Sequence, residues 1–283
     1  MATNQPRGHD MAGPGVYLAW MQAADYRSGV FGFKTYTASS GVFRFFVYLY
    51  STDTGEVLSI LEANRLGQLR TGAASGVAAR YMAREDASVV GVIGSGFQAR
   101  SQLEAICKVR PISSARVFSP NAEHRITFAT DMSNRLGIEV TPVESARLVV
   151  EGVDILVTIT ASRTPVFDGA WLQPGTHVTA VGGANAYVTE LDDAAIQRSD
   201  VIVVDDVAQA RIECGEFMMP ASRGVILWEQ LRELWQVVSG VVPGRNSPED
   251  ITLFKSLGMA LWDIAAAKAV YDKAVAQGVG TTI

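Results

Sequence analysis

Three periodicities follow one another along the chain. In the N-terminal part apolar and polar positions alternate. Phe31-Gly-Phe-Lys-Thr-Tyr-Thr37 has the period of two of a half-buried strand. Residues 42–50 form a dense β-branched and aromatic run, and 56–61 continue after the turn residues Ser51-Thr-Asp-Thr-Gly55. These segments predict a meander or hairpin. From 64 to 84 the period lengthens, with Leu66, Leu69, Ala73, Val77 and Tyr81 at helical spacing. The small residues Gly72-Ala-Ala-Ser-Gly76 allow that helix to approach another backbone closely.

A regular alternation then begins. Short apolar runs at 89–93, 115–118, 138–141, 155–159, 178–181 and 201–204 are interleaved with helical segments at 97–109, 123–136 and 144–150. Strands that alternate with helices, and are apolar along their whole length, predict a parallel sheet covered on both faces. After 226 the pattern is helical again, broken by the turn-rich 241–248, and a long Ala-rich helix is predicted over 253–276. The β-rich start needs that helix to bury its sheet. The expected fold is α/β: a doubly wound parallel sheet over 72–245, and a smaller, discontinuous α+β domain from 1–71 with 246–283.

Gly94-Ser-Gly-Phe-Gln-Ala99 gives this fold a candidate chemistry. It fits G-x-G-x-x-G/A, follows a buried strand and opens a helix, the context of a Rossmann-type dinucleotide site. Gly94 suits the tight turn and Gly96 lets backbone approach a pyrophosphate. Ser95, Phe97 and Gln98 complete the candidate loop, whose helix-start N–H groups meet the phosphate charge. The next strand ends Val117-Phe-Ser-Pro-Asn-Ala-Glu-His-Arg125 without an acid to accept from a ribose 2′-hydroxyl. Neutral Ser119 and Asn121, with Arg125 one turn later, favour NADP(H) over NAD(H). Glu123 counts against that preference, and a plain helix cap at Asn121 is the simpler role for that residue. Thr158, Thr160, Ala161 and Ser162 follow the fourth strand, at the carboxyl end where ligands of such sheets bind. Their hydroxyls suit ribose or phosphate, or a helix cap.

Composition narrows the partners. Of 283 residues, 24 are basic and 29 acidic, and there is no basic block, so nucleic acid is excluded as a partner. Two cysteines and three scattered histidines, without a zinc-ligand spacing, predict no metal site. No apolar run is long enough to span a membrane, and the N-terminus lacks a signal pattern, so a cytoplasmic protein is expected.

Several segments together resemble the ornithine cyclodeaminase/mu-crystallin family. They are Gly32-Phe-Lys34, Leu69-Arg-Thr-Gly-Ala-Ala-Ser75, the glycine fingerprint and Val157-Thr-Ile-Thr-Ala-Ser162. Val181-Gly-Gly183, Glu190-Leu191, Val203-Val-Asp205 and Ile251-Thr-Leu-Phe-Lys-Ser-Leu-Gly258 continue the match. The resemblance implies a homodimer whose smaller domains pair their sheets, with NAD(P)(H) bound and a small amino or imino acid as substrate. It also implies that Lys34 contacts the substrate, holding its carboxylate and serving as catalytic acid. Arg7 is implied as a carboxylate-binding arginine, and Ser256 as part of a loop that returns to the nicotinamide. Arg70 and Thr71 are helix neighbours pointing about 100° apart, so Arg70 suits a carboxylate clamp and Thr71 a bond to cofactor. One departure is informative. Where the cyclodeaminases carry a proton-transferring aspartate, this chain has Ala184. Asn185 beside it can orient but not titrate, which leaves Glu190 or Asp205 as substitutes. The expected activity is therefore NAD(P)H-dependent reduction of a small imino acid, of the ketimine reductase type. The alternatives are an ornithine cyclodeaminase using NAD, and a non-catalytic NADP-binding protein like mu-crystallin.

Overall fold

The computed structural model describes residues 1–281. It divides into two compact units, Met1–Arg70 with the chain from Gly258 onward, and Thr71–Leu257.

The first unit is an antiparallel sheet with one helix across a face. Its strands are β1 (Ala2–Asn4), β2 (Gly8–Gly13), β3 (Val16–Asp25), β4 (Val30–Ser39), β5 (Val42–Ser51) and β6 (Val57–Glu62), in the order β1-β3-β4-β5-β6 with β2 also on β3. β4 to β6 form the expected meander, and β3, an equally long strand, joins it at the other side. Alternation along β3, β4 and β5 sends Met21, Ala23, Val30, Val47 and Leu49 to one face. There they meet Ala260, Ile264 and Ala267 of the last helix, Ala260–Gln277. Gly32 makes the close packing possible: a Cβ there would lie 3.0 Å from Ile264 and clash with the Tyr48 carbonyl.

The second unit is a Rossmann-type, doubly wound α/β fold. Helix α1 (Asn64–Met82) leads into it, and the boundary between units falls inside that helix at Arg70/Thr71. In chain order there follow β7 (Val89–Ile93), α2 (Phe97–Cys107), β8 (Ser114–Phe118), α3 (Ala122–Leu136), β9 (Glu139–Pro142), α4 (Ala146–Val150) and β10 (Ile155–Thr158). Then come β11 (His177–Ala180), α5 (Asp193–Gln197), β12 (Val201–Val204), α6 (Val207–Glu213), α7 (Gly215–Ser222), β13 (Arg232–Glu233), α8 (Leu234–Val238) and β14 (Thr252–Lys255). With the terminal helix as α9, the parallel sheet has the order β13-β12-β14-β11-β10-β7-β8-β9. One face packs Val92, Val117 and Val157 on α2 and α3, and the other packs Ile93, Leu156 and Val204 on α4 to α7. Gly72 of α1 lies so close to Ser101 that a Cβ would come within 2.4 Å of its carbonyl oxygen.

Two expectations for the C-terminal part are corrected. Residues 252–255 are a strand inside the parallel sheet, between β11 and β12, and the helix starts only at Ala260. Residues 246–257 therefore belong with the second unit. The Ala-rich composition disguised Thr252-Leu-Phe-Lys255, whose pairing partners lie some seventy and fifty residues away in sequence. Between 226 and 251 the chain holds a single 3₁₀ turn, β13 and the five-residue α8 rather than a long helix.

Candidate functional site

In the first unit the fold gathers four charged side chains. Lys34 lies in β4 between Met21 and Val47, on the face that meets α9. It is 4% exposed despite its charge. Its Nζ donates to both oxygens of Asp263, at 3.2 and 3.1 Å. Asp263 lies on the buried stripe of α9 with Ala260, Ile264 and Ala267, and is itself fully buried. Arg70, near the middle of α1, donates through Nε to Asp263 Oδ1 at 2.9 Å, while its Nη1 is buried without a partner. Gly258, with φ +76°, leaves room for that guanidinium: a Cβ there would stand 2.6 Å from Nη1. Arg7 precedes β2 and places Nη2 3.6 Å from Met21 Sδ. The rings of Tyr36 and Phe45 lie 5.9 and 5.5 Å from Lys34 Nζ.

Burial lowers the Lys34 pKa to about 8. The Asp263 carboxylate opposes the shift, and the Arg70 and Arg7 charges add to it. A buried lysine poised there gives up its proton close to neutral pH. Three cations against one carboxylate leave a net positive charge and an unused donor, which suits a small anion. The structure thus brings Arg7, Lys34 and Arg70 together. Sequence reading missed Asp263, although it stands one residue from Ile264 on the helix stripe that carries the core.

In the second unit the glycine loop has the form that a pyrophosphate requires. Gly94 has φ +115°, and a Cβ there would lie 2.4 Å from the Ile159 carbonyl oxygen. Gly96 is the N-cap of α2, no side chain caps that helix, and a Cβ on Gly96 would meet nothing within 4 Å. The helix start therefore carries no side-chain cap of its own. Phe97 is exposed beside them, and Gln98 has a buried Oε1 without a partner. Ser95 hydrogen-bonds Ser119 at 2.8 Å, tying this loop to the end of β8. Thr71, partly buried, accepts from the Ser75 hydroxyl through its carbonyl oxygen at 3.5 Å. Ala161 is exposed, and the Ser162 hydroxyl turns to the Thr164 carbonyl.

Several candidate ligand residues have other duties. Thr158 is fully buried and its hydroxyl donates to Glu190 at 2.8 Å, and the Thr160 N–H donates to the same carboxylate at 2.5 Å. The Ser256 hydroxyl is buried against Asp205 at 3.3 Å. Asn121 is exposed and caps α3 by accepting from the His124 N–H. Arg125 is buried over the Phe118 ring, donates to the Ser119 carbonyl and pairs with Glu144. Hydroxyls at a strand end satisfy buried acids of the same fold before they meet a ligand, and sequence spacing did not show those acids.

Glu190 and Glu216 form a second ionic cluster with Lys255 at the carboxyl ends of β10, β11 and β14. Lys255 Nζ lies 2.6 Å from Glu216 and donates to the Gly182 carbonyl at 2.7 Å. Glu190 also accepts the Gly182 N–H, and its own N–H donates to Glu216. Burial raises the Glu190 pKa, against the pull of Lys255. Asp205 accepts the Leu257 N–H at 2.6 Å as well as Ser256. Both carboxylates considered as substitutes for the acid absent at Ala184 thus accept backbone N–H groups of their own unit. Among the described residues no helix is long and apolar enough to cross a membrane.

The chain is similar to known proteins along most of its length. A Delta(1)-pyrroline-2-carboxylate reductase of Bacillus cereus is 38% identical over 238 residues, 84% of this chain and 73% of its own. The structure of Thermococcus litoralis Delta(1)-pyrroline-2-carboxylate reductase with NADH and L-proline matches with a TM-score of 0.95 and 37% identity. That match covers all of this chain and 90% of the other. An archaeal alanine dehydrogenase dimer with bound NAD matches at 0.92 and 34% identity, over all of this chain and 88% of that one. The family model covers residues 13–278, and the chain belongs to the ornithine cyclodeaminase/mu-crystallin family.

Proposed function

We propose that this protein reduces a small α-imino acid to the amino acid with a nicotinamide dinucleotide as reductant. The observation that carries the reading is the buried Lys34–Asp263–Arg70 cluster, with its cation excess and its unpartnered Arg70 Nη1. The Gly94–Gln98 loop would hold the dinucleotide pyrophosphate, and the bound nicotinamide supplies the hydride for the α-carbon. Arg70 and Arg7 bind the substrate carboxylate, which orients the C=N bond. Lys34, with its pKa near 8, provides the proton to nitrogen. Names of relatives support the same class, since the B. cereus relative is a pyrroline-2-carboxylate reductase and the T. litoralis structure holds NADH and proline.

Reduction is favoured over cyclodeamination because the latter has more protons to move. Ala184 cannot titrate, Asn185 accepts the Tyr187 N–H in a local turn, and Glu190 and Asp205 each accept a backbone N–H. One preparation assayed with 1-pyrroline-2-carboxylate, 1-piperideine-2-carboxylate and ornithine tests this. Imine reduction without conversion of ornithine to proline is expected, and the opposite pattern sinks the reading.

NADPH is the proposed preferred reductant. Its support is the acid-free end of β8 and the Arg125 guanidinium beside Ser119, with Nε buried and unpartnered. A 2′-phosphate has to compete with Glu144 for that arginine. Binding titrations giving NADH equal or higher affinity refute the preference.

The smaller unit is the proposed dimerisation domain. The face of its sheet opposite α9 exposes Trp20, Phe31, Phe46 and Ile60 around the stacked Phe33–Tyr48 pair, whose centroids are 4.6 Å apart. An aromatic face of this kind fits a second copy of the same sheet. Light scattering that returns a monomer at micromolar concentration overturns this assignment.

A further inference from the structure

Asp263 has no part in the proton and hydride balance, yet it touches both groups that do the work. We propose that Asp263 is a positioning residue for imino-acid reduction: its carboxylate bridges Lys34 and Arg70, and so fixes the proton donor and the carboxylate clamp in one geometry. The inference rests on the reductive reading of the same cluster.

The geometry is specific. Asp263 Oδ1 receives both Lys34 Nζ and Arg70 Nε, and Oδ2 receives Lys34 Nζ again. Arg70 is held by its Nε side, which leaves the Nη1/Nη2 edge for a planar carboxylate. Nη1 is buried and without a partner, an arrangement that costs stability unless a ligand completes it. Gly258 gives clearance on that edge. Buried charge is retained here where a hydrophobic replacement of similar volume is often as stable or more so.

The groups that set the Lys34 charge come from every element around it. Asp263 on α9 favours the ammonium, whereas Arg70 on α1 and Arg7 ahead of β2 oppose it. Tyr36 on the same strand and Phe45 on β5 present their rings, and β3 presents the uncharged Met21. Without the Asp263 charge only burial and two like charges act on Lys34, so it loses its proton at lower pH. Arg70 loses the bond that sets its rotamer.

The test is Asp263→Asn, with Asp263→Glu as the conservative variant. In wild type the alkaline limb of kcat/KM for imine reduction is expected near pH 8. In Asp263→Asn it moves down by about one pH unit or more. KM for the imino acid rises about tenfold to hundredfold, the loss expected for a misaligned charge-assisted bond. Asp263→Glu restores part of both. The Lys34 ammonium is also titrated by NMR without substrate, and its midpoint falls in Asp263→Asn. An unmoved limb and an unmoved Lys34 midpoint overturn the proposal, including the case of a variant that loses activity evenly at every pH. A wild type that reduces no imino acid, with the Lys34 midpoint still falling in the variant, keeps the coupling and removes the reductive reading instead.

Discussion

Lys34 in the first unit and Lys255 in the second are nearly sealed from solvent, at 4% and 1% exposure, and each is paired with a buried carboxylate. Their surroundings differ in sign. Around Lys34 stand Asp263 and two further cations, Arg70 and Arg7; around Lys255 stand Glu216 and Glu190. Burial disfavours the ammonium in both places. At Lys34 the single acid does not offset burial and the arginines, so the pKa falls to about 8. At Lys255 burial is the largest influence, but Glu216, Cys214 and Glu190 together outweigh it, and the pKa rises above the ordinary lysine value. The hydrogen bonds differ in the same way. The Lys255 cluster closes on its own backbone at Thr160, Gly182 and Glu190. The Lys34 cluster keeps a buried donor in reserve on Arg70. At equal depth the two lysines are thus shifted in opposite directions, and the partner set decides which.

Replacing each lysine breaks this contrast most directly. Lys34→Ala is expected to cut imine reduction by about 10²–10⁴, the worth of a general acid, while dinucleotide affinity stays unchanged. A variant with more than a tenth of wild-type kcat/KM removes Lys34 from the mechanism. Lys255→Met is expected to act on stability instead. It leaves Glu216 and Glu190 buried without their counter-charge, which costs about 3–5 kcal/mol. Urea unfolding followed by circular dichroism measures that loss, and an unchanged midpoint denies the cluster its structural role.

pH sharpens the comparison with a smaller effect. The folded pKa of Lys34, about 8, lies below its unfolded value of 10.5. The unfolded chain therefore binds the extra proton between those values, and stability attributable to Lys34 rises with pH across about 8 to 10.5, at up to ~1.4 kcal/mol per pH unit. Lys255 is the reverse case. Its contribution is complete below the unfolded lysine value and is lost as pH rises through the higher folded one. Between pH 7.5 and 10 the urea midpoint of wild type is expected to gain on that of Lys34→Met, while its margin over Lys255→Met stays almost constant. The same slope for both lysines contradicts the assignment.

Much of the frame was legible along the chain. The switch from a period of two to one of 3.6, and the alternation beyond residue 89, follow from residues a few positions apart. So do the Gly94–Gly96 turn and the strand that carries Lys34. Thr252-Leu-Phe-Lys255 was not legible, because an apolar four-residue strand beside an Ala-rich helix has no period of its own. Its identity comes from β11 and β12, which flank it in the sheet. Thr158 and Ser256 read as ligand-binding hydroxyls for a related reason: a hydroxyl shows its chemistry in sequence but not its partner. Asp263 carried a usable signal, as an acid on the apolar stripe of α9, where a buried charge requires a cation from another element.

The sequence by itself determined most element types and the dinucleotide loop, since these depend on local periodicity and on residue chemistry, and the family resemblance singled out the cations of the candidate site. Only the tertiary structure decided where charge is balanced and where it is left over. Lys34, Arg70 and Asp263 lie in β4, α1 and α9, and Lys255, Glu216 and Glu190 in β14, α7 and the loop after β11. A pKa or an unpaired donor is a property of such an assembly, because desolvation and Coulomb interaction depend on distances in space that spacing along the chain does not fix.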